Sequence, residues 1–487
     1  MSEPMKLLPR VVPDSMSLRG DIQPILDYIA ENHEVFDHTL HDHAIVLVDD
    51  VETLWLEYVP TCYDGTRPTP LVISMHAGGQ NRYGQFFDTA WHLLAEQENF
   101  IVIYPQAKEN GAWGISEHGP IDIASHDMQA ILKLIDDVKS RYCIDAGRIY
   151  MQGMSMGDLM SMQCGRALGD ILAGIGCCSG PTNPELLFRE DGTLRENKGP
   201  VAVFQSRGVY DTISLNPKYS RPQTNAYNRK FWMEINQCST SPLLRITSND
   251  GYAYYPGVLG DLCYRNMVHH GHYQAVNDAQ LAWDLVFSKV RRNADGKLQR
   301  IAPSDFQADR NAIALADGSA FAYVNNQKIA LSAPVFVEEA VQMGPPMPKP
   351  GEAPNMPKAD LEMPADVPQP APPPPEISGV YPYVSVLDME TLFSASVTVN
   401  HNTATIIHNG IAIQVAAGNT GALVDGKLQN MGREAKAVQG TLYLSVSWFA
   451  EEILGWTCAQ KDGAVYLKAG PCTLTTDLAT IIREILA

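Results

Sequence analysis

Between residues 44 and 300, short apolar runs alternate with segments of helical character. The runs 71–75 (LVISM) and 100–104 (FIVIY) are almost entirely apolar, which is typical of strands buried on both faces. The segment 127–141 (DMQAILKLIDDVKSR) places its apolar residues at helical spacing and predicts a helix. Further strands are predicted at 148–152 and 201–205. Buried strands separated by helices predict α/β architecture, with a mostly parallel sheet covered by helices.

Beyond residue 300 the pattern changes to short apolar runs that end in turn-forming residues. Asn409-Gly410 and Asp425-Gly426 are typical of tight hairpin turns. Short strands are predicted at 312–315, 320–324, 328–331, 403–407, 411–415 and 441–444, and one short helix at 447–454. This part of the sequence contains no convergent set of catalytic residues, so it predicts a smaller β-rich module.

A proline-rich segment interrupts this module. Residues 344–377 read GPPMPKPGEAPNMPKADLEMPADVPQPAPPPPEI, and proline at this density neither donates backbone hydrogen bonds nor builds helix. The segment is therefore predicted to be an extended, exposed linker or insertion. The patterns together predict five regions. They are an N-terminal segment (1–43), a catalytic domain (44–300), the first part of the module (301–343), the linker (344–377) and the remainder of the module (378–487).

Composition narrows the functional classes without selecting one. The chain has 487 residues, 45% of them hydrophobic, and a formal net charge of -19, which argues against binding nucleic acid. No apolar run approaches the roughly 18–20 residues needed to cross a bilayer. The first residues lack the basic-then-apolar pattern of a secretory signal, so the protein is expected either to be intracellular or to have had a signal removed. Nothing indicates the oligomeric state.

The nine cysteines give little guidance. Their odd number and the lack of CxxC spacing indicate neither a zinc site nor a complete disulfide framework. One or two bridges stay open, Cys238 with Cys263 and Cys458 with Cys472. His38, His41 and His43 lie close together but have no HExxH frame, so a solvated turn is preferred to a metal site. We predict no metal and no organic cofactor.

The strongest chemical signal is Gly153-Met154-Ser155-Met156-Gly157. This G-x-S-x-G pattern directly follows the predicted strand 148–152 and precedes an apolar helical stretch. A strand–turn–helix setting is the one in which such a serine stands exposed on a tight turn, with small glycines on either side. Ser155 is therefore the predicted nucleophile.

A nucleophilic serine needs a histidine base and a carboxylate that orients the histidine. When the serine comes first in the chain, the acid and then the histidine follow. Asp211 comes shortly after a predicted strand and is the preferred acid, with Asp250 and Asp261 as competitors. His272 is the preferred base because the glycine before it permits a tight loop, and His270 is the alternative.

Acyl transfer also needs backbone donors that stabilise an oxyanion. The predicted donors are the N–H of Met156, directly after the nucleophile, and that of Gly78 or Ala77 in the loop after the strand 71–75. His76 and Trp113 are assigned to the substrate-binding region. His76 is expected to hold the loop, and Trp113 either stacks on an aryl or sugar ring or serves as a buried packing residue.

These segments resemble the polyhydroxybutyrate-depolymerase and feruloyl-esterase-like group of α/β-hydrolases over roughly residues 54–292. The resemblance rests on ordered segments at 70–79 (PLVISMHAGG), 104–106 (YPQ), 112–113 (AW), 141–150 (RYCIDAGRIY), 153–157 (GMSMG), 208–211 (GVYD) and 271–272 (GH). It implies an α/β-hydrolase fold and an acyl-enzyme mechanism. The implied substrates are esters, including polymeric ones: hydroxyalkanoate-type or aromatic polyesters and feruloyl or acetyl polysaccharide esters.

The chain departs from the family pattern at three places. Ala77 follows His76 where the family usually has glycine, and Asp158 stands where a second glycine usually follows the serine motif. Ser206-Arg207 replaces a His-Gly pair before the acid. These departures concern substrate preference more than reaction class.

The C-terminal part is similar to the stalk domain at the N-terminus of copper amine oxidases, over residues 312 to about 467. The likeness rests on 322–326 (AYVNN), 442–446 (LYLSV) and 450–456 (AEEILGW). Such modules carry no copper and usually occur on secreted or surface proteins, which implies export, with a cytoplasmic location as the alternative. Two rival functions stay open: a surface-attachment protein with a vestigial hydrolase domain, and a serine peptidase of the same fold.

Overall fold

The computed structural model describes residues 27, 31, 40–108, 111–115, 123–213, 217–341 and 377–487. The chain forms two compact units. The first combines Met1–Ala312, Asn325–Lys328 and Gly470–Ile485, and the second combines Ile313–Val324, Ile329–Ala469 and Leu486–Ala487. The sequence-based boundaries assigned all of 378–487 to the C-terminal module, whereas Gly470–Ile485 belongs to the first unit.

The first unit is built on a ten-stranded sheet with the order β1-β2-β4-β3-β5-β6-β7-β10-β9-β8. The strands are β1 Leu40–Val48, β2 Val51–Tyr58, β3 Thr69–Met75, β4 Ile101–Pro105, β5 Ile144–Met154, β6 Gly174–Cys178, β7 Ala202–Gly208, β8 Leu243–Ile246, β9 Asp250–Tyr255 and β10 Leu262–Met267. The six from β4 to β10 in this order are parallel, and the strands at both edges are antiparallel. This sheet and its helices confirm the predicted α/β class.

Seven helices of the first unit follow or connect these strands. They are α1 Arg82–Asp88, α2 Trp91–Glu98, α3 His126–Arg141, α4 Met156–Ala167, α5 Pro184–Leu187, α6 Arg221–Asn236 and α7 Asp278–Leu285. A 3₁₀ turn at Phe287–Lys289 and a small hairpin of β11 Val290–Arg292 and β12 Leu298–Arg300 come next. Local sequence explains the helix starts. Ser220 and Gln223 form a reciprocal capping box at α6, and the Asn81 side chain accepts from the Gly84 N–H at α1.

The central strands are buried because helices cover the sheet. Every residue of β3, β4 and β6 is buried, as expected for strands without a solvent-facing side. Large aromatic side chains fill part of the core. Phe287 stacks on both Tyr150 and Trp91, with ring centroids 4.9 and 5.9 Å away. Aromatic side chains of this size contribute much of the apolar area that a core removes from water.

Within its described residues the second unit contains three β-sheets, which confirms the predicted β-rich character. The five-, four- and five-stranded sheets have the orders β15-β14-β13-β26-β25, β16-β17-β24-β23 and β18-β19-β20-β21-β22. Their strands are β13 Ala312–Ala316, β14 Phe321–Val324, β15 Gln327–Ala330, β16 Phe336–Val341, β17 Ile377–Ser385, β18 Ser396–Asn400, β19 Thr403–His408, β20 Ile411–Ala416, β21 Gly421–Val424, β22 Lys427–Asn430, β23 Lys436–Val438, β24 Thr441–Ser445, β25 Trp456–Lys461 and β26 Ala464–Ala469.

Short helical pieces complete this unit. A 3₁₀ turn at Val386–Asp388 leads into α8 Met389–Phe393, and α9 Val446–Trp448 continues as a π-helical turn, Phe449–Ile453, where one helix was predicted. Phe393 packs on Phe449 with ring centroids 4.9 Å apart. The stalk-domain assignment of this unit stays a prediction.

The chain then returns to the first unit as α10 Thr476–Leu486, all of which except Leu486 belongs to that unit. The apolar side of α10 is buried, with Leu478, Ile481 and Ile482 at most 1% exposed. Its helical spacing is visible in the sequence, but the pattern does not say which surface will cover the apolar side.

Several other expectations can be compared with the structure. The proline-rich segment lies outside the described residues except for Ile377, which begins β17. Cys238 and Cys263 carry free thiols, so the bridge left open between them is not formed. Of the histidine cluster, His38 lies outside the described residues, whereas His43 stacks on Trp55 with centroids 4.6 Å apart. Within the described ranges, no helix is long and apolar enough to span a bilayer.

Candidate active site

The predicted nucleophile lies in a strained turn between β5 and α4. Ser155 has φ 54° and ψ -114°, a conformation that non-glycine residues rarely adopt. The two flanking glycines are required because a larger residue has no space here. A Cβ on Gly153 would collide with the Gly157 carbonyl, and a Cβ on Gly157 with the Met75 carbonyl. The G-x-S-x-G sequence therefore forms the sharp strand-to-helix turn that presents a serine at the carboxyl edge of the sheet.

The three predicted catalytic side chains come together at this turn. His272 Nε2 lies 2.8 Å from Ser155 Oγ, and His272 Nδ1 lies 3.0 Å from each carboxylate oxygen of Asp211. Both distances lie within the reach that proton transfer and imidazole orientation require. The three residues are widely separated in sequence, so the fold brings them together as a serine–histidine–aspartate arrangement.

Asp211 follows β7 and is held by several contacts. Its side chain is fully buried, Oδ1 accepts from the Ile213 N–H at 3.2 Å, and the guanidinium of Arg221 forms an ion pair with Oδ2. Gly208, at the end of β7, has no room for a Cβ because the carbonyl of His270 lies against it. The loops that carry the acid and the base are therefore in backbone contact.

The alternative acids and base are engaged elsewhere. Asp250 pairs with Arg265, with 3.0 Å between the nearest atoms, and Asp261 accepts from the Tyr254 hydroxyl at 2.6 Å. His270 Nε2 lies 2.8 Å from the Tyr273 carbonyl. None of these contacts joins the Ser155 hydroxyl, so the geometry favours the preferred candidates over their competitors.

Two of the residues predicted to donate to the oxyanion, Gly78 and Met156, are in contact. Met156 is the first residue of α4, where backbone N–H groups have no partner within the helix. A Cβ on Gly78 would lie 2.5 Å from Met156 Sδ, so the loop after β3 packs directly against that residue. The loop turns sharply here, because the Gln80 N–H donates to the Ala77 carbonyl at 3.1 Å.

His76 fixes the loop after β3 through hydrogen bonds. Its Nε2 accepts from the Ala107 N–H at 3.0 Å, and its Nδ1 lies 2.8 Å from the Ala77 carbonyl. Burial lowers the pKa of His76 to about 4, so the ring is neutral near pH 7. Trp113 donates from its indole nitrogen to the His76 carbonyl at 2.8 Å and is 4% exposed. Trp113 thus has a packing role; stacking on a substrate stays a prediction.

Two of the departures from the family pattern form a buried ion pair beneath the nucleophile. Asp158 Oδ2 lies 3.0 Å from Arg207 Nη1, and both side chains are at most 1% exposed. The same carboxylate oxygen accepts from the Gly180 N–H at 2.7 Å. Burial raises the pKa of Asp158 to about 6, although the guanidinium opposes the shift. In the sequence this pair is visible only as two unusual residues, Asp158 next to the serine motif and Arg207 shortly before the acid.

An exposed apolar rim flanks the triad and was not predicted from the sequence. Val209, Tyr210 and Ile213 flank Asp211, and they are 43%, 64% and 49% exposed. On the histidine side, Tyr273 is 54% exposed. Exposed apolar side chains next to such residues are typical of binding surfaces when they form a contiguous patch.

Some proteins of known function are similar in sequence to part of this chain, although no family model matches it. A bifunctional acetylxylan esterase/xylanase from Neocallimastix patriciarum is 30% identical over 146 residues, which are 30% of this chain and 20% of that protein. Feruloyl esterase B from Piromyces equi is 26% identical over 244 residues, 47% of this chain and 43% of the relative. A poly(3-hydroxybutyrate) depolymerase from Ralstonia pickettii is 31% identical over 139 residues, 26% of this chain and 28% of the relative.

The chain therefore spans less than half the length of each of these relatives. Among solved structures, acetyl xylan esterase from Aspergillus awamori matches with a TM-score of 0.40 and 17% identity, covering 50% of this chain and 98% of that one. A ferulic acid esterase from Anaeromyces mucronatus matches with a TM-score of 0.34 and 14% identity, covering 50% of this chain and 88% of that one. The sequence relatives are thus esterases and a polyester depolymerase, as the resemblance implied.

Proposed function

We propose that the protein is a serine carboxylic-ester hydrolase that acts through an acyl-enzyme. The observation that carries the proposal is the continuous hydrogen-bonded series Asp211–His272–Ser155, with Ser155 in the strained turn. The names of the sequence relatives support the same reaction class.

In the proposed reaction Ser155 Oγ attacks the ester carbonyl carbon while His272 Nε2 takes the hydroxyl proton. The buried Asp211 carboxylate stabilises the imidazolium that forms. When the tetrahedral intermediate collapses, the C–O bond of the ester breaks and His272 gives its proton to the departing alcohol. Water, deprotonated by His272, then attacks the acyl carbon. The bond between that carbon and Ser155 Oγ breaks, His272 returns the proton to Ser155 Oγ, and the acid leaves.

The negative charge on the carbonyl oxygen has to be stabilised during both steps. We assign this to the N–H groups of Met156 and of Gly78 or Ala77, which acyl transfer uses to bind the oxyanion. His76 and Trp113 would serve this site by fixing the loop. Their buried hydrogen bonds keep the donors in place before substrate arrives.

For the substrate we propose polyester or feruloyl and acetyl polysaccharide esters, because relatives bear these names and exposed apolar side chains flank Asp211 and His272 in the chain. The rim side chains Tyr210 and Tyr273 can cover an acyl chain or an aryl ring. We also propose that the protein is exported and that its C-terminal unit has a stalk-like role.

The test is hydrolysis of p-nitrophenyl acetate by the full chain and by Ser155→Ala. We expect the variant to lose turnover and keep its fold, while Ser140→Ala, which changes an exposed serine on α3, retains full activity. Full activity of Ser155→Ala would overturn the assignment. Inactivity of the unmodified chain toward a panel of esters would favour the hypothesis of a surface-attachment protein with a vestigial hydrolase domain. Faster cleavage of matched amides would favour a peptidase.

A further inference from the structure

A buried carboxylate on α10 joins two elements of the catalytic unit. Asp477 Oδ2 accepts from Asn225 Nδ2 on α6 at 2.8 Å and from Asn266 Nδ2 on β10 at 3.3 Å. The hydroxyl of Tyr264, also on β10, donates to the same oxygen. All four side chains are buried, so one oxygen near the end of the chain organises three buried donors.

The contact with α6 leads to the catalytic acid. Asn225 lies four residues after Arg221, so the two residues lie on the same side of that helix. Arg221 is the first residue of α6 and forms the ion pair with Asp211. Asp211 in turn contacts His272 Nδ1. A series of direct contacts and one helical turn therefore connects Asp477 to the triad.

The contact with β10 leads to the same loop. Asn266 Nδ2 donates to the Arg207 carbonyl at 3.1 Å as well as to Asp477. In the parallel pairing of β10 with β7, Asn266 lies opposite Arg207, and Met267 lies opposite Gly208. Gly208 is the last residue of β7, directly before the loop that carries the acid. Asp477 is thus connected to both ends of the structure that holds Asp211.

Docking of α10 does not itself need this carboxylate. The apolar side chains Leu478, Ile481 and Ile482 are buried, and Leu478 occupies the space beside Gly251, where a Cβ would lie 2.8 Å from its Cγ. Burying a carboxylate is unfavourable unless hydrogen bonds and opposite charge compensate for it. The three donors that converge on Asp477 Oδ2 instead tie α6 and β10 to α10.

We propose that Asp477 is a positioning residue for the catalytic acid: it fixes α6 and the end of β7 so that Arg221 holds Asp211 against His272. The inference rests on the proposed esterase function, because it assigns the triad its catalytic roles. A C-terminal segment that follows the β-rich unit in the chain is then part of the active-site framework.

The proposal predicts a change in turnover without a change in substrate binding. Asp477→Asn removes two of the acceptor sites of this side chain. Because a misplacement of about 1 Å can cost about 100-fold in rate, we expect a smaller shift of the acid to lower kcat by about tenfold. KM should stay within about twofold, because an effect confined to the catalytic geometry leaves the binding of the ester unchanged. Asn225→Ala, which removes the donor on α6, should give the same pattern.

A double-mutant cycle with Arg221→Gln tests the route of the effect. If Asp477 acts through Arg221, Asp477→Asn should lower kcat in the unmodified chain and cause little further loss in the Arg221→Gln background. Glu484→Gln is the matched control. It removes another acid of α10 that pairs with α6, but its side chain is 52% exposed and its partner Arg229 comes two helical turns after Arg221. This control should keep kcat.

The 487-residue chain and its variants are assayed with p-nitrophenyl acetate beside Ser155→Ala, and folding is checked by the urea midpoint. An unchanged kcat in folded Asp477→Asn, or equal losses in both backgrounds, would overturn the inference. If Asp477→Asn does not fold, Asn225→Ala carries the same prediction and the same refutation. Failure of the esterase proposal looks different, because the unmodified chain would then have no turnover that depends on Ser155.

Discussion

The ion pair beneath the nucleophile allows a stability prediction with a definite sign. Arg207→Met removes the charge that faces Asp158 Oδ2 at 3.0 Å and leaves a carboxylate whose side chain is fully buried. Removing one partner of a buried ion pair costs about 3–5 kcal/mol, because the remaining charge is uncompensated. We expect a loss of this size in the free energy of unfolding of the first unit at pH 8.

The double variant Asp158→Asn/Arg207→Met is the matched control. It removes both charges while keeping an oxygen that can accept from the Gly180 N–H. Replacing both partners of a buried pair by neutral groups is often close to neutral for stability. We therefore expect the double variant to be more stable than Arg207→Met alone, although it differs from the native sequence at one more position.

The pH dependence gives an independent check. The folded-state pKa of Asp158 is about 6, above the ordinary value of 3.8, and loss of Arg207 should raise it further. A carboxyl whose folded pKa is raised contributes stability below its unfolded pKa and loses that contribution as pH rises through the folded pKa. The penalty of Arg207→Met should therefore be smaller at pH 5 than at pH 8.

Urea unfolding followed by tryptophan fluorescence and by esterase activity measures these differences. The single and double variants are compared with the native chain at both pH values. A single variant as stable as the double one, or a penalty that grows as pH falls, would refute the argument that Arg207 compensates the buried charge of Asp158.

Three further predictions concern other parts of the first unit. Gly157→Ala should abolish esterase activity and lower the thermal midpoint, because its Cβ has no space beside the β3 carbonyl; wild-type activity would contradict the elbow geometry. The folded-state pKa of His76 is about 4, below its ordinary value of 6.5, so the neutral ring contributes about 3 kcal/mol to the free energy of unfolding at pH 7. This contribution should be lost as pH falls from about 6.5 to about 4, and His76→Gln should flatten that part of a stability–pH curve. Cys177 and Cys178 are buried with raised thiol pKa values, so they should resist a thiol reagent until urea is added. Exposed Cys62 should react in the native protein, and equal reaction rates of the three thiols would contradict this prediction.

The parts of the fold that follow from local pattern could be predicted. The apolar runs at 71–75 and 148–152 lie within β3 and β5, and the helix predicted at 127–141 corresponds to α3. Periodicity of apolar residues carries this information within a short window. The serine motif was predictable for the same reason, since a strand, a glycine-flanked turn and a helix are all local.

The partnerships between distant residues could not be predicted. Asp158 and Arg207 are 49 positions apart, and each alone appears only as an unusual residue. Asp477 is 252 positions from Asn225, and its role depends on which surface covers α10. The indole of Trp113 could have faced substrate or core, and only the fold around His76 directs it inward. Such contacts depend on tertiary packing rather than on sequence spacing.

The central claim is that Ser155 is an activated nucleophile, and covalent labelling tests it most directly. The full chain is incubated with a fluorophosphonate probe, and the adduct is counted by intact mass and located by peptide mass spectrometry. We predict one adduct per chain on Ser155, no adduct in Ser155→Ala, and greatly slowed labelling in His272→Ala, which lacks the base. An unlabelled native chain, or stoichiometric labelling at another residue, would contradict the account.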